Sequence, residues 1–310
     1  MGDTGYTVRN YQPSDFHKFV LLNIEAEQLE PTGRSVSPRV IAEGLGRPNY
    51  SPERDLLVVE MASKIVGYMN VTRELGIGRV VLDCWVHPEH RKRGLAAQLL
   101  NRAMERAREA GARVAHVNVA EGDTRARRVL SSSGFQLVRR FLELTIDLTR
   151  VKEQGIEEAL VGYRQMQSGE EKELTRIQNR AFAGSWGYNP NTVAEIVYRT
   201  NLSHRSPEDV IIIGEEEKMV GYCWLGVVDA GEAAVGAKRG RIFMLGADPD
   251  YRGRGAGKKA LLAGLSFLKK KGLRFAGLTV DSENKVACAL YRSVGFKVRG
   301  NSLWYEKTVV

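Results

Sequence analysis

Residues 242–265 read IFMLGADPDYRGRGAGKKALLAGL, and this stretch decides the fold. An apolar run of strand length breaks at Asp248-Pro249 and enters a basic, glycine-rich turn, Arg252-x-x-Gly255-x-Gly257. Beyond the turn Leu261, Leu265 and Leu268 recur with the spacing of one helical face. A strand feeding a helix through such a turn is an anion cradle. Small residues let successive backbone N–H groups converge, and the helix N-terminus adds partial positive charge, which suits a pyrophosphate. The spacing is neither the dinucleotide pattern GxGxxG nor a P-loop with Gly-Lys-Ser/Thr, which disfavours hydride transfer and nucleotide hydrolysis.

The same landmarks occur earlier in the chain. Pro88, Gly94, Gly111 and Gly134 each stand 161 residues before Pro249, Gly255, Gly272 and Gly295, and HPEHRKRGLA matches DPDYRGRGAG. Lys64-Ile-Val-Gly-Tyr68 matches Lys218-Met-Val-Gly-Tyr222 at an offset of 154, so the second copy carries seven extra residues between that strand and the proline. Each copy reads as an opening strand (8–11, 163–166), helical segments, a hairpin (56–60 with 65–72, 210–214 with 219–226) and a central strand (80–86, 242–245). The turn and its helix follow, then a strand (114–119, 275–280), a short helix before Gly-Phe, and a final strand closing the copy. The expected class is α/β, an α+β unit on a mixed sheet used twice, with domains at 1–150 and 151–310.

Composition sets the outer limits. Of 310 residues, 43% are apolar and 27% charged, ordinary for a folded protein. No apolar run approaches the roughly 20 residues of a membrane span, and residues 1–20 lack a signal-peptide core, so a cytoplasmic protein without a membrane partner is expected. Cys84, Cys223 and Cys288 show no CxxC spacing, and His87 and His90 flank Pro88 without metal-ligand spacing. Neither a disulfide framework nor a metal site is expected. The net charge of +9 is divided evenly between the halves and suits a small anionic ligand. Its basic clusters lack interleaved aromatics, so no nucleic-acid partner is expected.

After the helix and strand that follow the turn, the second copy has Asn284-x-x-Ala287-x-x-Leu290-Tyr291-x-x-x-Gly295-Phe296, whose glycine stands 40 residues after Gly255. Strand, R-x-x-G-x-G, helix, strand and this second motif together resemble the GNAT (GCN5-related) N-acetyltransferase superfamily. Two copies in one chain are similar to the tandem, mycothiol synthase type of GNAT protein. The resemblance implies acetyl-CoA as acyl donor, bound where the fourth and fifth strands part. Leu245, Gly246 and Ala247 would offer strand-edge groups to the pantetheine arm and the thioester. Arg252, Gly253, Arg254, Gly255, Ala256, Gly257 and Lys258 would hold the pyrophosphate, with Asn284 and Ala287 nearby. Tyr291 would line the donor site next to the sulfur. A thiolate leaving group has a conjugate acid of pKa roughly 8.5, and a phenol can protonate it, which makes Tyr291 the general acid. In the first copy the matching positions are Cys84, Trp85 and Val86 on the strand and Arg91, Lys92, Arg93, Gly94, Leu95 and Ala96 in the turn.

Two departures qualify the resemblance. In the first copy Asn284 becomes Asp123 and Tyr291 becomes Leu130, which cannot donate a proton; a non-catalytic first domain is expected. Many GNAT enzymes place a glutamate eleven residues before the turn's first arginine, and there this chain has Arg241 and Val80. Asp281, Asp229 and Glu232 are candidates for the base, and Arg241 can instead face a carboxylate or phosphate of the acceptor. Trp186 and Tyr188 fall in a loop that covers the acceptor pocket in GNAT proteins or simply packs. The leading expectation is direct acetyl transfer to a primary amine of a small molecule. Protein N-terminal or lysine acetylation, and a non-catalytic acyl-CoA-binding regulator, are the alternatives.

Overall fold

The computed structural model describes residues 5–33, 36–151, 161–215, 218–229 and 238–309. The chain forms two compact units, residues 1–140 with 302–310, and residues 141–301. Neither unit is closed by its own last strand.

In the first unit the elements run β1 (Tyr6–Asn10), α1 (Phe16–Leu29), α2 (Pro38–Leu45), α3 (Pro52–Asp55), β2 (Leu56–Met61), β3 (Lys64–Glu74), β4 (Arg79–Val86), α4 (Leu95–Glu109), β5 (Val114–Ala120) and α5 (Thr124–Ser132). The next strand, β6 (Gln136–Asp147), crosses into the second unit. There follow β7 (Tyr163–Gln165), α6 (Glu171–Ala181), α7 (Val193–Thr200), β8 (Val210–Glu215), β9 (Lys218–Asp229), β10 (Lys238–Ala247), α8 (Ala256–Lys270), β11 (Phe275–Asp281) and α9 (Lys285–Val294). The last strand, β12 (Lys297–Thr308), returns to the first unit.

Each unit has a mixed sheet, antiparallel except for one central parallel pair, β4 with β5 and β10 with β11. The strand beyond that pair comes from the other copy. Ser302–Thr308 of β12 pair with β5, and Phe141–Asp147 of β6 pair with β11. The sequence expectation that each final strand closes its own copy, and the division at residue 150, are therefore corrected. Alternation tells which side chains of a strand face a core; it does not tell whose edge the strand completes. Leu303 and Tyr305 join the first unit's core, and Leu144 and Ile146 the second's.

In the second unit one sheet face packs on α8 and α9 through residues such as Ile242, Leu261, Leu265 and Leu278. The other face packs on α6 and α7 through Leu174, Ile177, Ile196 and Tyr222. Each such fully buried aliphatic side chain contributes about 1.5–3 kcal/mol, so the sheet is held from both faces and its central strands form a fixed platform. Two of the second unit's helices start at side-chain caps. Thr192 and Glu195 form a capping box on α7, and Asn284 accepts from the Ala287 N–H at the start of α9.

Candidate active site

The second unit's central strands part early. β10 and β11 pair only at Gly240–Ala276 and Arg241–Gly277. The β9–β10 register slips between Ile242 and Met244, which makes Phe243 an extra, bulged residue. A bulge bends its strand, and β10 leaves β11 at that point. Leu245, Gly246 and Ala247 are paired with Cys223, Tyr222 and Gly221 on β9 and have no partner on β11. One edge of these three residues is held in the sheet, and the other faces the gap.

The turn at the mouth of the gap is braced from behind. Asp248, 3% exposed, accepts from Arg176 at 3.1 Å, Arg180 at 3.0 Å and the Asp250 N–H at 3.1 Å. Burial pushes its carboxyl up, but Arg180, the Asp250 N–H and Arg176 outweigh burial and hold it below the usual range. Arg252 Nη2 donates to the Ala181 carbonyl at 2.7 Å, at the end of α6. With that donor engaged, the turn's backbone N–H groups remain as its candidate anion ligands. Gly253 and Gly255 adopt left-handed conformations (φ 79° and 85°) that aim them, and the first N–H groups of α8, at Ala256, Gly257 and Lys258, have no intrahelical acceptor. A Cβ added at Gly253, Gly255 or Gly257 would meet nothing within 4 Å, so the cradle is open to a ligand.

Tyr291 lies on α9, 7% exposed, with its ring edge-on to Phe296 at 5.6 Å between centroids. Burial pushes its phenol well above the ordinary tyrosine range, helped by Cys223 and Cys288, so it stays protonated at neutral pH. Among the described residues none hydrogen-bonds its hydroxyl. Asn284 uses its carbonyl oxygen to cap α9, at 3.1 Å from the Ala287 N–H, which fixes the side chain and leaves its NH₂ without a partner among the described residues.

On the α6 face, Arg241 donates from Nη2 to Thr279 Oγ1 at 2.6 Å. Glu143 sits opposite Thr279 on β6 and so shares its face. Sequence reasoning missed Glu143, because it lies in the first repeat and reaches this unit only through the exchanged strand. Asp281 Oδ1 accepts from the Glu283 N–H at 2.9 Å and shapes the turn into α9. Glu232 and the Asp229 side chain lie outside the described residues. Trp186 packs on Phe141 at 5.9 Å, and Tyr188 stacks on Phe182 at 5.2 Å while donating to Asn179 at 2.8 Å. The loop is thus pinned to the second unit's own helix and strand.

The first unit repeats the scaffold with its polar groups otherwise engaged. β4 and β5 part after Leu82–Val117, leaving Cys84, Trp85 and Val86 beyond the last pair, but the β3–β4 register is unbroken and there is no bulge. Arg91 is held bidentately by Glu30 at 2.7 and 2.6 Å and donates to the Val86 carbonyl at 2.8 Å. Trp85 Nε1 donates to the same Glu30 at 2.8 Å. An internal carboxylate therefore already holds that turn's arginine. Lys92, the counterpart of Gly253, is left-handed (φ 63°) at a cost of about 1 kcal/mol. Gly94 retains the left-handed start of α4, Leu95 is buried, and Ala96 and Arg93 complete the turn. Leu130 occupies the tyrosine's position, buried at 4%. His87, Glu89 and His90, which showed no ligand spacing in the sequence, are brought together by the tight turn, with ligand-type atoms within 4.8 Å of one another. His87 is tied to Glu25 at 3.3 Å and His90 to the Tyr6 hydroxyl at 2.8 Å.

Comparison with known proteins bears on this geometry. The family model described as the acetyltransferase (GNAT) family matches residues 21–135 and 172–296. A mycothiol acetyltransferase of Amycolatopsis mediterranei is 31% identical over 302 residues, covering 92% of this chain and 97% of that protein. One of Mycolicibacterium smegmatis is 29% identical, covering 85% of each. Among solved structures, a GCN5-related N-acetyltransferase from Sphaerobacter thermophilus superposes with a TM-score of 0.71 at 20% identity, over 100% of this chain and 97% of that one. A tandem GNAT protein from the clavulanic acid biosynthesis pathway does so at 0.68 and 16%, over 98% and 99%. Among the described residues no helix is long and apolar enough to cross a membrane.

Proposed function

The chain belongs to the acetyltransferase (GNAT) family and is an acetyl-CoA-dependent N-acetyltransferase, and from that premise we propose that transfer occurs in the second unit, by direct attack of a small-molecule primary amine on the thioester. The observation that carries this assignment is the asymmetry of the two copies. Only the second combines a bulged, open strand edge, an uncommitted glycine cradle and a protonated tyrosine.

The open cradle fits a pyrophosphate: the N–H groups of residues 253–258 would hold it, with the helix N-terminus adding favourable field. The strand edge at Leu245, Gly246 and Ala247 would bond the pantetheine arm, and an N–H there would stabilise the oxygen that gains charge when the amine attacks. The NH₂ of Asn284 would orient the arm beside Ala287. Tyr291 would give its proton to the departing CoA sulfur and be reprotonated by the proton that the attacking nitrogen sheds, through solvent, as the amide forms. Arg241 stands where a base would be needed, so the acceptor ammonium loses its proton to solvent before attack.

The test is release of free thiol from acetyl-CoA across a library of amines, with products identified by mass. Amine-dependent release with one acetyl group added per acceptor is expected. Bound acetyl-CoA whose thiol release no amine accelerates would contradict the transferase reading. Acetylation confined to protein amines would redirect it to a macromolecular acceptor.

A further inference from the structure

We infer that the second unit recognises an acid group on its acceptor amine, a carboxylate or phosphate, through Arg239 and Arg241. This rests on the transfer reading above and names the acceptor's class.

The two copies of the fold supply their own control. Strand pairing makes Val80–Ala115 equivalent to Gly240–Ala276, so upstream of the Phe243 bulge the repeat offset is 160 residues rather than 161. Arg239 therefore corresponds to Arg79. In the first copy Arg79 is neutralised: it is 6% exposed, lies across the ladder from Glu74 and forms an ion pair with it. His116 and Trp304 flank it further, with the His116 ring 3.5 Å from its Nη1.

In the second copy each of these companions is gone. Val228 replaces Glu74 opposite the arginine. Gly277 replaces His116, and Glu143, on the strand two positions away, replaces Trp304. A second arginine has been added, because Arg241 corresponds to Val81. The result is two arginines on one face of β10, half-buried, with no carboxylate in ion-pair distance of either among the described residues. Arg239 Nε is buried with no hydrogen-bond partner among the described residues. Arg241 has one, Thr279, and is flanked by glycines on both neighbouring strands, Gly226 and Gly277.

Two adjacent, half-buried guanidiniums with no carboxylate in ion-pair distance among the described residues carry a standing cost, and an acid group offers each the bidentate partner its geometry fits. Burial and the neighbouring Arg239 both work against the charge on Arg241, with Glu143 a partial offset, as expected of a pair that lacks its anion. The arginines sit at the apex of the gap whose edge residues begin four positions on. An acid group there and an amine at the thioester belong to one acceptor of roughly 10 Å, from a rise of about 3.3 Å per residue over the register steps that remain once the bulged Phe243 is discounted.

The experiment compares matched amines of that length: 8-aminooctanoate against 8-aminooctanamide, 8-aminooctyl phosphate against 8-amino-1-octanol, and their ten-carbon homologues. Wild type, Arg241→Gln and Arg241→Glu are assayed by thiol release, with acetyl-CoA affinity of each measured by calorimetry. Wild type should prefer the acidic member of each pair by roughly ten- to a hundredfold in kcat/KM, mainly through KM. Arg241→Gln should erase that preference while binding acetyl-CoA normally, and Arg241→Glu should reverse it. Equal use of acidic and neutral amines by wild type, or an unchanged preference in Arg241→Gln, overturns the inference while leaving the transferase intact. Transfer to no amine at all, with acetyl-CoA bound, overturns both.

Discussion

Tyr291→Phe lowers kcat about 10²–10⁴-fold and leaves acetyl-CoA affinity within about twofold, the range expected when one proton donor is removed from a thiolate-expelling step. The ring is retained, so its edge contact with Phe296 and its place in the core beside Cys288 survive. Only the hydroxyl is lost. Burial keeps that phenol protonated, and no described residue engages it, so it is free to donate to the sulfur. Rapid-quench kinetics with saturating donor read the effect directly. A donor built on a more acidic thiol needs less help in leaving, so the defect should shrink with it. An equal defect with both donors would mean the tyrosine acts by packing and not by proton transfer.

Gly257→Asp should abolish donor binding without harming the fold. Gly257 lies in the first turn of α8, where a Cβ would meet nothing within 4 Å, so the side chain has room. A carboxylate there adds about 0.3–1 kcal/mol to the free protein by complementing the helix dipole. It also occupies the cradle and repels a pyrophosphate, a like-charge juxtaposition of several kcal/mol, or about 10²–10³-fold in affinity. Calorimetry with acetyl-CoA and thermal unfolding, performed together, should show lost binding with equal or greater stability. The matching change in the first unit, Ala96→Asp, should leave turnover unaltered. Loss of turnover in Ala96→Asp with retention in Gly257→Asp would move the site to the other copy.

These expectations depend on features of unequal visibility in the sequence. The repeat, the strand-turn-helix units and the contrast between Tyr291 and Leu130 are all local, and local patterns survive translation into structure. Gly255 and Gly94 do start their helices in left-handed conformations, and the central strands do part beside them. Long-range choices were not legible. Each final strand presents the same alternation to either sheet edge, so nothing in the period says that β6 completes the second unit and β12 the first. Glu143 was hidden for that reason. The bulge at Phe243 was hidden because one extra residue in an apolar run looks the same as none. Yet it changes which residues correspond: counting from the turn set Arg241 against Val80, whereas the strand pairing sets it against Val81. The engagement of Arg91 by Glu30 joins residues 61 apart and leaves no periodic signal, although it separates the two turns more sharply than their sequences do.

We propose that one fold is used twice and works once. A crystal structure of the protein with acetyl-CoA tests it most directly. Pyrophosphate density is expected on the N–H groups of residues 253–258, with the thioester against the strand edge at Leu245–Ala247 and the sulfur within hydrogen-bond reach of the Tyr291 hydroxyl. Donor density on the turn at Arg91–Ala96, with its thioester beside Leu130 and the second cradle empty, would contradict it.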